Sequence, residues 1–167
     1  MKARRHARIT ALQALFEVDV AGHDPGRALA ERMAEEPLTE PSAAFCRGLL
    51  LGVLRYRAGL DDVIQRVAPE WPIEQMAPVD RNILRLATYE LFYQADTPAK
   101  VAINEAVELA KLFGSDSSSR FVNGVLGTVL AHKTQLLGFA TSVAQADEPS
   151  AGGVSDAVTG VGPSPSV

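Results

Sequence analysis

An all-α fold follows from three features of this 167-residue sequence. Apolar residues recur three and four apart along most of its length, the spacing of one face of an α-helix. Proline and glycine fall between those stretches, where helices start and stop. No segment shows sustained apolar–polar alternation bounded by turn dipeptides, the mark of strands and hairpins. Apolar residues make up 47% and charged residues 22%, so a sizeable core is available and wholly disordered, collagen-like and disulfide-scaffold classes are excluded.

The elements follow in order. Ile9, Leu12, Phe16 and Val20 share one face of a first helix, which Gly22 ends. Asp24-Pro25 reads as an N-cap followed by proline at the first helical position, and opens a short helix to about Glu36, before Pro37 and Pro41. Phe45, Leu49, Val53 and Tyr56 line a third helix. Leu60, Ile64 and Val67 line a separate short one, which stops before Pro69-Glu70-Trp71-Pro72. Pro78 opens the next, with Val79, Ile83, Leu86 and Leu91 or Phe92 inside. Thr97-Pro98 repeats the cap-and-proline signal; Val101, Ala102, Ala106, Leu109 and Phe113 carry that helix to Gly114, expected as its C′ residue. Ser115 or Asp116 is expected to cap the last helix, whose stripe is Val122, Val125, Leu126 and Val129.

Gly48, Gly52, Gly124 and Gly127 sit inside helices, at roughly 1 kcal/mol each relative to alanine. They predict close approach of neighbouring helices, with Asn123 serving buried backbone groups. The sum is a compact bundle of about seven helices over residues 1–138. Near Ala140 the composition changes to Ala, Gly, Ser and Pro, with no Leu, Ile or aromatic residue beyond it. Such a segment cannot offset ordering costs of about 1–2 kcal/mol per residue, so 139–167 is expected to be a disordered tail.

Several function classes drop out. The longest apolar runs are far short of the roughly 20 residues a membrane helix needs. The basic N-terminus continues into an amphipathic pattern with Glu17 and Asp19, unlike a signal peptide. Cys46, the single cysteine, allows no internal disulfide, which fits a cytoplasmic location, and it reads as a buried structural thiol. The three histidines and the cysteine have no metal-ligand spacing, and there is no Gly-rich phosphate loop. Glu105 and Glu108, with Lys111, read as surface ion pairing. No catalytic set, cofactor or metal site is expected.

The charge is unevenly placed. The net charge is −4, but without residues 140–167 the remaining 16 basic residues face 17 acidic ones. Residues 2–8 hold Lys2, Arg4, Arg5, His6 and Arg8 with no acid. That start is either a solvated terminus or a local anion site. At helical spacing Arg5, Arg8 and Gln13 lead to Phe16: forks for phosphates, an amide for a base edge, a ring to stack on a base. Phe16 is alternatively a core residue beside Leu12. The segment Gly114-Ser115-Asp116-Ser117-Ser118-Ser119-Arg120-Phe121 offers helix-start N–H groups, hydroxyls and a guanidinium for a phosphate, or is a capping turn with a surface arginine.

Three blocks give the chain a resemblance to the NusB family of bacterial transcription antitermination factors. They are ARITALQALFEVD near the start, APVDRNILRLATYEL from Ala77 to Leu91, and KVAINEAVELAKLFGSDSSSRFVNGVLG from Lys100 to Gly127. The resemblance spans about residues 3–135 in order. It implies seven helices in two packed sub-bundles. It also implies binding of boxA, a single-stranded element of ribosomal RNA leader transcripts, together with NusE, a small-subunit ribosomal protein. The pair would join RNA polymerase and other Nus factors to carry transcription past terminators, without catalysis. By this resemblance Arg4, Arg5, His6, Arg8, Gln13, Phe16, Phe113, Gly114, Arg120 and Phe121 face RNA. Asp80, Leu84, Arg85, Tyr89 and Glu90 face NusE. Ser117 departs from members that carry an acid there. Two other readings stay open: the helical N-terminal domain of a ribosomal RNA cytosine methyltransferase, and a protein-only bundle, possibly a homodimer.

Overall fold

The computed structural model describes residues 2–141. Seven α-helices and one 3-10 turn hold most of the described residues: α1 Lys2–Ala21, α2 Pro25–Glu35, α3 Ser42–Val67, the turn Ile73–Gln75, α4 Pro78–Tyr93, α5 Ala99–Phe113, α6 Ser118–Ala131 and α7 Lys133–Ala140. No strand occurs among them. The tail expected over 139–167 lies, from residue 142 on, outside the described residues.

The helix count agrees with the sequence reading, but its composition differs. The two helices expected over Phe45–Tyr56 and Leu60–Val67 are one helix of 26 residues. Gly59 stays helical there because its missing side chain has a use: a Cβ would meet the Ala140 carbonyl oxygen at 2.5 Å. The C-terminal end of α7 packs into that gap. Helix α7 itself had no sequence signal, since only Leu136 and Ala140 are buried in it. The packed body therefore reaches Ala140, past the boundary expected at 138.

Helix ends follow local chemistry. Gly22 closes α1 at φ +68°, the left-handed region where only glycine is at ease. The Asp24 carboxylate accepts the Arg27 N–H at 3.0 Å and Pro25 stands in the first turn, as expected. The Thr97 cap is not made: among the described residues no side chain caps α5, and the buried Thr97 hydroxyl has no hydrogen-bond partner. The cap expected from Ser115 or Asp116 is replaced by a reversed contact, in which the Ser115 N–H donates to the Ser118 hydroxyl at 2.9 Å.

Helices α1, α2 and α3 pack together at one end, and α4, α5 and α6 at the other; α4 also lies against α1 and α3 and joins the two groups. One core runs through both, with Leu49, Leu60, Ile83, Leu84, Leu109 and Leu126 wholly or almost wholly buried. Of the helical glycines, Gly52 does let a neighbour close in, since a Cβ there would collide with the Tyr89 ring. Among the described residues Gly48, Gly124 and Gly127 meet nothing within 4 Å and Asn123 is exposed, so the packing expected of them is not found there.

Candidate nucleic-acid interface

The basic start of α1 is less free than its sequence suggests. Arg5 donates to both carboxylate oxygens of Glu105, each at 3.0 Å. Arg4 lies 4.5 Å above the Phe45 ring and 3.8 Å from Asp96. His6 is 3.0 Å from Glu36. Arg8 is buried, and its guanidinium is spent on Glu90 at 2.8–3.1 Å. Arg4 and Arg5 remain about half exposed, at 44% and 46%, and still present charge to solvent. Arg8 does not, which corrects its expected place on the RNA face. A helix turns about 100° per residue, so a run of neighbouring cations cannot all face outward.

The same bonding corrects the acids. Glu105 is a buried partner of α1, not a surface mate of Lys111; Glu108 fills that role at 3.2 Å. Hydrogen bonding from Arg5 holds the Glu105 carboxyl below its ordinary range. Burial pushes the Glu90 carboxyl upward, against the pull of Arg8. Similar ion pairs thus shift their carboxyls in opposite directions, because one pair is desolvated and the other reaches water.

Further along α1 the expected residues do converge. Leu12, Gln13, Phe16, Arg32, Val79 and Phe113 line a pocket of about 240 Å³. Phe16 is 37% exposed and Phe113 39%, so both rings pack on one side and meet water on the other. A second pocket, of about 340 Å³, is lined by Trp71, Gln75, Met76, Ala77, Asp80, Ser117, Arg120 and Phe121. Each pocket draws on the first turn of α4, the first through Val79 and the second through Asp80; the first also takes the last residue of α5, Phe113, and the second takes Ser117 before α6. Trp71, 58% exposed, stands edge-on to Phe121 with ring centres 6.2 Å apart. Exposed aromatic faces beside guanidinium groups suit unpaired bases on a charged backbone.

Gly114 shapes this face without lining either pocket. Its φ of −90° is ordinary, so it is not a left-handed C′ glycine. Its role is space: a Cβ would lie 2.5 Å from the Ser118 side chain. Ser118 is buried and its hydroxyl is 3.1 Å from that of Ser115, so these two hydroxyls serve the turn rather than an anion.

The expected NusE helix is largely interior. Leu84 is fully buried. Arg85 is buried and bonded to Asp61 at 2.7 and 2.9 Å and to Asp19 at 3.3 Å. Glu90 is held by Arg8, and Asp80 lines the Trp71 pocket. These positions correct the expectation of a single exposed partner face on α4. Only Tyr89 keeps a half-buried ring, stacked at 5.2 Å on Tyr93, which stacks at 4.2 Å on Tyr56.

The sequence model of the NusB family matches residues 5–131. The chain belongs to the NusB family. A transcription antitermination protein NusB of Chloroflexus aggregans is 52% identical over 129 residues, covering 76% of this chain and 86% of that one. A T. maritima NusB structure superposes with a TM-score of 0.72 at 35% identity, over 77% of this chain and 90% of that one. A NusB solved with NusE and double-stranded RNA gives 0.73 at 26% identity, over 78% and 98%. The all-α, seven-helix architecture expected from sequence is therefore the architecture of NusB structures.

Sequence reasoning missed Trp71 and Arg32. Arg32 lies on the short α2, whose place against α1 no local pattern reveals. Trp71 did leave a signal: a large aromatic between two prolines, on no apolar stripe of any helix.

Proposed function

We propose that this NusB-family chain is an RNA-binding antitermination factor without catalytic activity, acting in the cytoplasm on the boxA element of ribosomal RNA leaders together with NusE. The observation that carries this reading is a set of part-exposed aromatic rings: Phe16 and Phe113 in one pocket, Trp71 and Phe121 at another, with Arg32 and Arg120 at their walls and the first turn of α4 reaching both. Rings of this kind supply sequence-tolerant stacking to an unpaired strand, and the arginines a salt-dependent phosphate contribution. The half-exposed Arg4 and Arg5 extend the charged track along α1. Gln13 offers an amide to a base edge.

Of the residues expected to face NusE, Tyr89 is retained, with Tyr56 and Tyr93 as the aromatic surface on which a partner would sit. The known NusB complex with NusE supports a two-protein RNA surface, and RNA polymerase and other Nus factors would join through that assembly.

The test is fluorescence anisotropy with a labelled boxA-like RNA, as a single strand and as a duplex, with and without NusE, at two salt concentrations. Selective, salt-weakened binding of the single strand that tightens with NusE is expected. Equal binding of a scrambled strand would overturn the assignment and leave a protein-only scaffold or a homodimer.

A further inference from the structure

The side chains at the start of α1 differ in what their contacts occupy. Arg5 engages Glu105 through two hydrogen bonds, and Arg8 engages Glu90 through three. His6 is bonded to Glu36. Arg4 is held in another way. Its guanidinium carbon lies over the Phe45 ring, 4.5 Å from the ring centre. The acid it approaches, Asp96, is 79% exposed and 3.8 Å away, outside hydrogen-bond reach. Among the described residues no hydrogen bond engages the Arg4 guanidinium, so its N–H donors are open while its position is set. The ring beneath it is firmly seated. Phe45 is half-buried, packs on the core, and also lies 5.2 Å under the guanidinium carbon of the buried Arg8, because residues 4 and 8 stand one turn apart on α1. Arg8 is itself locked by Glu90, so a buried ion pair backs the ring on which Arg4 rests.

We propose that Phe45 is a positioning residue for RNA binding: its ring face holds the Arg4 guanidinium in place and leaves the N–H donors to a backbone phosphate of the bound strand. The inference rests on the RNA-binding reading above and assigns a residue that acts through Arg4. An aromatic face attracts a cation through its quadrupole and needs no particular N–H group. A carboxylate, as Glu105 does with Arg5, occupies the parallel donors that a phosphate would take. An arginine in open solvent keeps its donors but must give up rotamer freedom when it binds. Arg4 on Phe45 is already ordered and keeps its donors. It remains 44% exposed, so a phosphate can reach it. Every nucleotide brings a phosphate, so this contact strengthens any strand and does not itself select boxA.

The experiment uses the full chain with NusE and two labelled single strands, one boxA-like and one scrambled. Phe45→Leu keeps an apolar side chain and removes the π face. It should weaken both strands by the same factor, roughly threefold, the scale of an exposed cation–π contact. Phe45→Tyr keeps the ring and should bind as the wild type does. Arg4→Ala should weaken both strands further and lower the slope of log affinity against log salt by about 0.7, the loss of one phosphate contact. Adding Phe45→Leu to Arg4→Ala should change nothing more. Any harm that Phe45→Leu does through Arg8 or the core would appear with or without Arg4, so only the loss that vanishes in the Arg4→Ala background reports positioning. NMR relaxation of the Arg4 Nε–H group in the free protein should show an ordered side chain in the wild type and a mobile one in Phe45→Leu. A Phe45→Leu loss that persists undiminished in the Arg4→Ala background would overturn the proposal and leave the RNA-binding reading standing. So would wild-type affinity in Phe45→Leu. A mobile Arg4 Nε–H group in the wild type would do the same, and that result needs no variant to fold. No binding of either strand by the wild type would overturn both readings.

Discussion

Arg8 and Glu90 hold each other inside the protein, each 2% exposed, with the closest guanidinium nitrogen 2.8 Å from the carboxylate. Three hydrogen bonds join them and tie α1 to α4 across 82 residues of chain. The arginine that reads in the sequence as part of a basic patch is a strut, and its partner reads there as a surface acid.

Removing one member of a buried pair strands the other. Arg8→Ala should therefore lower unfolding stability by about 3–5 kcal/mol in urea titrations. The double variant Arg8→Met with Glu90→Leu should recover much of that loss, because no uncompensated charge remains. Arg5→Ala should lower the urea midpoint less than Arg8→Ala does, since the Arg5 side chain is half exposed, and should weaken RNA binding as well. A double variant no more stable than Arg8→Ala would refute the strut.

Two glycines on helices should respond oppositely to alanine. Gly59→Ala sets a Cβ against the Ala140 carbonyl and should cost about 1–3 kcal/mol. The damage should be local: α7 lifts away and the bond from the Tyr93 hydroxyl to the Ala140 carbonyl, 3.1 Å long, is lost. Hydrogen exchange should then accelerate in α7 while α4 stays protected. Gly124→Ala meets nothing within 4 Å, so it should stabilise the chain by roughly 0.4–1 kcal/mol.

Acid should loosen the contact between α1 and its partners. The Arg5 hydrogen bond holds Glu105 low. Burial pushes Asp19 up, but bonds from Arg81 and Asn82 and the Arg85 charge together outweigh it, and the net direction is downward. A carboxyl whose value is lower folded than unfolded contributes its full stability above the unfolded value, about 4. That contribution is lost as pH falls through the lowered folded value. Glu90, raised by burial, has the opposite sign: its contribution is full at low pH and is lost as pH rises through its raised value. The thermal midpoint should fall as the pH drops below about 4, the unfolded carboxylate value, and less steeply in Arg5→Ala, which has lost the Glu105 share. Parallel curves for the two proteins would show that Arg5 is not the cause.

Cys46 should be inert in the folded chain. It is fully buried, and burial pushes its thiol up to about 11. At neutral pH almost no thiolate exists and no reagent reaches it. Labelling by an aromatic disulfide reagent should track global unfolding in urea; fast labelling without denaturant would place Cys46 at the surface.

The sequence by itself determined the helical class, most helix ends and the identity of the family. Those depend on near neighbours: the three-and-four spacing of Leu12 and Phe16, the Asp24-Pro25 cap, the left-handed Gly22. It also marked Gln13, Phe16, Phe113 and Phe121 as candidates; the fold brings the first three to one pocket and Phe121 to another. What only tertiary structure decided is which charges face water. Arg5 and Arg8 are three residues apart, yet one is half exposed and the other is bonded in the core. The partners that settle this, Glu105 and Glu90, lie 100 and 82 residues away. The continuity of α3 was hidden for the same reason. The stretches Phe45–Tyr56 and Leu60–Val67 read locally as two helices, and at Gly59 between them α7 docks closely from the far end of the described chain. Local spacing encodes a helix and its faces, but burial and ion pairing are set by which helices meet.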